Sequence, residues 1–212
     1  FFRYAPDGDY AIPYLGSHVV LGTTAQREMQ MNTGLNTLKA LDAASAKQAL
    51  NVMMGVFPRE RLAQLLGQFP SEKFLTWNEL VALAKRGVEI GAHAHRHWPM
   101  HAGQPREYLT EQACLPRMLI ETHIGRACRF FAYPFGTKID VGREAWSAVR
   151  DAGYEFAFTT IAGTLGASAN PWLMPRYGVG LDETALAAMI GLLRANDARL
   201  ISWQRALAPV SA

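Results

Sequence analysis

The chain has 212 residues, half of them apolar, with 21 Lys and Arg against 18 Asp and Glu and a formal net charge of +3. That length suffices for one core, and basic residues scattered along the chain give no support to a nucleic-acid partner, although a cationic groove would suit acidic or lipid-linked saccharides. No apolar run reaches the roughly eighteen residues that a membrane span requires. Two cysteines, Cys114 and Cys128, make no disulfide framework and are expected as free buried thiols.

In chain order, Phe1-Phe2-Arg3-Tyr4 is followed by Asp7-Gly8-Asp9, which reads as a turn. Residues 24–66 are helical in pattern and rich in Ala, Leu and Met, with breaks expected at Gly34, Gly55 and Pro58. Leu35, Leu38, Leu41, Leu50 and Met53 recur at helical spacing, which fits core packing by a helical insert over residues 24–68. Phe69-Pro70 closes that segment. Thr76 and Glu79 form a capping box, so a helix starts at Trp77 with Leu80, Leu83 and Ala84 as its buried stripe and Gly87 as its end.

Val88-Glu89-Ile90 reads as a buried strand. A helix is expected over residues 105–124, bent or split by Pro116 and stopped by Gly125. Residues 129–133 form the next strand, 142–152 a helix and 154–160 a further strand. Residues 163–171 make a flexible loop, residues 172–179 lead back into the fold with Arg176 after a proline, and Asp182 caps a last helix over 182–195. Strands alternating with helices point to parallel β/α units in a single domain spanning residues 1–212, and such folds collect ligands at the carboxyl ends of their strands.

His93 and His97 sit at one of those ends, in Gly91-Ala92-His93-Ala94-His95-Arg96-His97-Trp98-Pro99. Neutral imidazole is the commonest protein ligand for zinc, cobalt and nickel, and a catalytic zinc takes three protein ligands and keeps one open position. No carboxylate lies nearby in sequence to be the third. Ala94 excludes the helical H-E-x-x-H site, which needs Glu directly after the first His. The spacing also fits a polar loop beside a core strand.

Cys128-Arg129-Phe130-Phe131-Ala132-Tyr133-Pro134-Phe135-Gly136 is the second informative block. Its aromatic first half is strand-like, and Pro134 with Gly136 ends the strand in a turn whose amides are free to face a ligand. Arg129 reads as a buried cation that must find a carboxylate or carbonyl partner.

Taken together, a strand ending in Gly-Ala-His-x-x-x-His-x-Pro, an amphipathic helix, and then Arg-Phe-Phe-Ala-Tyr-Pro-Phe-Gly resembles the polysaccharide deacetylases of carbohydrate esterase family 4, the NodB-homology domain. The lead-in from Leu75 to Gly91 and the later Glu155-Phe156-Ala157-Phe158-Thr159-Thr160 agree with it, and the likeness runs from about residue 74 to about residue 180. The resemblance implies an α/β fold, a distorted (β/α) barrel of the glycoside hydrolase/deacetylase type, incomplete here at the N-terminus. It also implies hydrolysis of N-acetyl groups on an N-acetylhexosamine-containing oligo- or polysaccharide, with a metal-bound water as nucleophile and a divalent metal, zinc first and cobalt or nickel next. By the same resemblance His93 and His97 are metal ligands, and the Tyr133 amide helps hold the oxyanion. Tyr133, Pro134, Phe135 and Gly136 then wall the sugar groove, and Arg129 pairs with the catalytic base.

Three departures bear on activity. The family's Thr-Phe-Asp-Asp-Gly segment, which brings a ligand and the base, has no counterpart here, and Phe1 to Tyr4 resembles the strand after it. Truncation ahead of Phe1 is therefore expected, with Asp7-Gly8-Asp9 as a degenerate acidic motif the alternative. Ala94 replaces the usual Ser or Thr. No His follows His123, so the general acid of the family's Leu-x-x-His is absent, leaving His95, His101 or the recycled proton of the metal-bound water to serve. Two function classes stand: a metal-dependent carbohydrate N-deacetylase, of a bacterial envelope or exported polysaccharide, and a non-catalytic saccharide-binding protein or fragment on the same fold. Compartment and oligomeric state are not legible.

Overall fold

The computed structural model describes residues 1–68, 74–163 and 169–177. The chain divides into two compact units, Phe1–Thr76 and Trp77–Ala212, where one domain with a helical insert was expected. The presumed insert does not stand apart from the residues before it, because its helices share a core with an N-terminal hairpin.

In the first unit, β1 (Gly8–Ile12) pairs antiparallel with β2 (Gly16–Leu21), with Asp9 opposite Val20 and Tyr10 opposite Val19. Ile12, Val19 and Leu21 are buried, as are Phe2 and Ala5. Phe1 to Ala5 forms a turn rather than the strand expected there, closed by the Tyr4 and Ala5 amides donating to the Phe1 carbonyl. α1 (Thr24–Ala40) starts at Thr23, whose hydroxyl accepts from the Gln26 amide while the Gln26 side chain accepts from the Thr23 amide. Gly34 does not break this helix. A Cβ there would lie 2.3 Å from the Phe2 ring, so the missing side chain is where that ring packs. The break comes at Asp42, which caps α2 (Ala43–Gly55) by accepting from the Ala44 and Ser45 amides. Ala46, Ala49 and Met53 bury the inner stripe of α2, and α3 (Arg59–Gly67) follows. Leu35, expected in the core, is 44% exposed.

In the second unit, α4 (Trp77–Lys85) begins and ends as its sequence signals require, with Gly87 at φ +90°. Residues 88–90 do not form the buried strand expected, and Val88 is 46% exposed. Pairing begins two residues later, at Ala92. α5 (Arg106–Ile124) is one helix through Pro116, which is buried with Leu109 and Ala113, and left-handed Gly125 closes it. Next come β3 (Phe130–Ala132), α6 (Arg143–Asp151) and β4 (Phe156–Phe158).

Ala92 pairs with Phe131, β3 with β4, and Phe158 with Met174, all parallel. With α5 and α6 as the crossovers, this is the β/α arrangement, and the C-terminal ends of the four extended segments lie on one edge. Met100, Leu109, Ala113, Phe131, Tyr133, Trp146, Val149 and Tyr154 fill the core. Cys128 is buried there but Cys114 is exposed, so only one of the two thiols is inside as expected. The helix expected over 182–195 and residues 164–168 of the expected loop lie outside the described residues.

Candidate metal centre

Ala92 is tied to β3 on both sides, its amide donating to the Phe130 carbonyl at 2.9 Å and its carbonyl accepting from the Ala132 amide at 2.8 Å. His93 therefore leaves the sheet at the C-terminal edge of β3, and its Nδ1 lies 2.7 Å from the Ala132 carbonyl. A carbonyl only accepts, so Nδ1 carries the proton and Nε2 keeps its lone pair. That tautomer is the one a metal-ligating histidine adopts when a carbonyl orients it.

Two left-handed residues, Ala94 at φ 58° and His97 at φ 52°, then fold the loop back on itself. The His97 ring meets the His93 ring edge to face, with centroids 4.7 Å apart, and packs 5.2 Å from the Phe135 ring. Between the two histidines, the His95 and Arg96 amides donate to Oε1 of Gln112, at 3.1 and 2.7 Å. Burial pushes the His93 imidazole below its ordinary range; the Ala132 bond opposes this, and the charges of His97 and Arg176 add to it. Neutral imidazole, the ligating form, is thereby favoured. His101, weighed as a general acid, accepts the Gly103 amide at Nδ1.

The second block occupies the same edge, with two corrections. The Tyr133 amide donates to the Phe158 carbonyl at 3.0 Å, so the parallel ladder takes the N–H expected to hold an oxyanion. Its hydroxyl donates to the Trp172 carbonyl at 2.9 Å and the residue is fully buried, which makes Tyr133 a core residue under the turn. Pro134 is buried beside it. Phe135 and Gly136 are both left-handed, at φ 58° and 68°, and the turn is pinned by Thr160, whose amide donates to the Gly136 carbonyl and whose hydroxyl donates to that of Phe135. Of the four turn residues, Phe135 is the one whose ring meets a histidine ring.

Arg129 is neither buried nor near this edge. Its side chain is 47% exposed and is bound to Glu155, at the opposite end of β3. Ala132 lies three residues further along the strand, about 10 Å along the chain. Asp7 and Asp9, the alternative acidic motif, pair within the first unit with Arg27 and His18, at 2.6 and 2.8 Å. Among the described residues no group of three His, Cys, Asp or Glu could hold a metal ion, so the imidazole pair has no third such donor beside it there.

Sequence reading missed two residues at this edge. Gln112 is a polar residue on the buried stripe of α5, a signal that was there to read. Arg176 donates through Nε to the Thr159 carbonyl at 2.7 Å, and its charge reaches His93.

A family model, polysaccharide deacetylase, matches residues 34–157, more than half of the chain. The chain belongs to the polysaccharide deacetylase family. No curated protein matches this deacetylase-family chain. Among solved structures it is similar to the deacetylase PplD of Streptococcus pyogenes in complex with acetate, with 14% identity over 59% of this chain and 54% of that one and a TM-score of 0.51. It is also similar to the BpsB deacetylase domain of Bordetella bronchiseptica (21% identity, 50% of each chain, TM-score 0.44) and to IcaB of Ammonifex degensii (20%, 56% and 54%, 0.47). The first likeness shows a shared fold. The chain spans about half the length of the structures it matches.

Proposed function

We propose that the protein to which this chain belongs is a metal-dependent carbohydrate deacetylase, hydrolysing the N-acetyl groups of an N-acetylhexosamine-containing saccharide. His93 and His97 are two of the ligands, and the fold is the family's distorted β/α barrel. One observation carries this reading beyond family membership: Nδ1 of His93 is engaged by the Ala132 carbonyl while its ring packs against that of His97. Bound there, a zinc, cobalt or nickel ion supplies Lewis-acid polarisation of an amide carbonyl and acidifies water. In this reading Ala132 orients the first imidazole, Phe135 walls the second, and Arg176 brings a positive charge that favours anionic groups nearby.

The runner-up, a saccharide-binding protein on the same fold without catalysis, draws on the described residues offering only two ligands. Metal content separates the two. About one zinc or cobalt per chain, lost in His97→Ala, together with acetate release from N-acetylglucosamine oligomers, is the expected result for the enzyme. No uptake by wild-type protein overturns it.

A further inference from the structure

Gln112 is fully buried, although it carries a primary amide, and it lies on the stripe of α5 that Leu109, Ala113 and Pro116 fill with apolar groups. Burying such an amide is unfavourable unless its polar atoms are bonded. Its oxygen is fully used, accepting the consecutive amides of His95 and Arg96, whereas its Nε2 has no partner among the described residues. A side chain held inside for core packing alone would be better replaced by an apolar one of its size. We propose that Gln112 is the positioning residue of the two-histidine site: it fixes the loop between His93 and His97 and thereby sets the separation and facing of the two rings. This rests on the metal-site reading above.

The loop has reason to need such an anchor. Ala94 and His97 both hold left-handed backbone, which is unfavourable for L-residues. Strained residues persist where surrounding contacts over-determine them. His93 is held from the sheet side by Ala132, and Gln112 holds the next two residues but one from the helix side. Without the Gln112 oxygen, two adjacent amides lose their acceptor at the point where the chain reverses, and His97 swings independently of His93.

The role asks only for an acceptor at that place, which gives the test its form. Gln112→Glu keeps an oxygen there for both amides and removes the unpartnered N–H group, while Gln112→Met keeps the volume and removes the acceptor. Cobalt affinity is measured by its visible absorption and by equilibrium dialysis. Ring ¹⁵N shifts of His93 and His97 and hydrogen exchange of the His95 and Arg96 amides are followed by NMR in the metal-free protein. The expected result is that Gln112→Met weakens cobalt binding by roughly 10–100-fold, as the loss of an orienting partner does at other metal sites. Its His95 and Arg96 amides exchange faster and its histidine ring shifts move, while Gln112→Glu stays near wild type in all three.

Should Gln112→Met fail to fold, Gln112→Asn serves, since it withdraws the amide by one methylene and predicts the same losses. Wild-type cobalt affinity and ring shifts in a folded Gln112→Met protein overturn the proposal, as does a folded Gln112→Glu protein that behaves like Gln112→Met. Should wild type take no cobalt, the metal-site reading fails by itself. The role of Gln112 in setting the two rings is then decided by the ring shifts, and unchanged shifts in Gln112→Met overturn it.

Discussion

Arg129 grips Glu155 through two hydrogen bonds, Nε to Oε1 at 2.8 Å and Nη2 to Oε2 at 2.6 Å, at the N-terminal end of β3. The guanidinium carbon also lies 5.3 Å from the Phe130 ring centroid. This cation is thus satisfied on the surface, at the end of the strand away from His93. The bidentate fork holds the Glu155 carboxyl below its usual range, chiefly through the hydrogen bonds and next through charge.

Arg129→Gln therefore leaves cobalt uptake within about twofold of wild type, since distant sites act independently. The Glu155 carboxyl titrates at higher pH in the variant, readable by NMR. A loss of cobalt binding of tenfold or more would return Arg129 to the site.

Much of this site is legible in the sequence because its parts are local. Two histidines four residues apart just after Ala92, and a Tyr-Pro-Phe-Gly turn after β3, stand on the same edge, with His97 against Phe135. The ends of α4 and α5 follow from Gly87 and Gly125. What local sequence does not carry is pairing. That the Tyr133 amide is consumed depends on β4 lying beside β3, and no residue near Tyr133 records it. The β1–β2 hairpin is missed for a related reason: its turn holds Tyr14 at φ 67°, where glycine or asparagine would have announced it. Arg129 misled because a strand of three residues puts its neighbours at a rim, where a charge meets water.

Gly136→Ala tests the turn. The residue sits at φ +68°, and an added Cβ would lie 2.9 Å from the Thr160 nitrogen and 3.2 Å from the Tyr133 oxygen, both backbone atoms. Strain and crowding act in the same direction, so a destabilisation of about 2–4 kcal/mol is expected in urea unfolding. The Thr160 amide, which donates to the Gly136 carbonyl, should lose protection from exchange. An unchanged urea midpoint would show that the turn is looser than described.

Glu121 ties stability to pH. Its Oε1 accepts from the Cys128 amide and from Nε of Arg117, each at 2.9 Å, and its carboxyl is held below the ordinary range, first by the Cys128 bond and then by Arg117 against some desolvation. A depressed carboxyl contributes stability that is full above its unfolded value, about 4.3, and is lost as pH falls through the lower folded value. The advantage of wild type over Glu121→Gln in urea unfolding should hold from neutral pH to about 5 and shrink below about 4. An advantage that grows on acidification contradicts the assignment.

Gly34 and Phe2 form the last pair, and here the sign of one substitution depends on the other residue. Replacing a mid-helix glycine with alanine stabilises an exposed helix by about 1 kcal/mol. In α1, however, the new methyl would meet the Phe2 ring at 2.3 Å, and Phe2 is itself buried. Overpacking of that kind costs roughly 1–3 kcal/mol, enough to cancel or reverse the helix gain. Gly34→Ala should therefore be neutral to destabilising in wild type and stabilising by about 1 kcal/mol in a Phe2→Ala background. A double-mutant cycle by urea unfolding measures the coupling. Additive effects would mean that the Phe2 ring does not occupy the space glycine leaves, and the packing of the first unit would have to be redrawn.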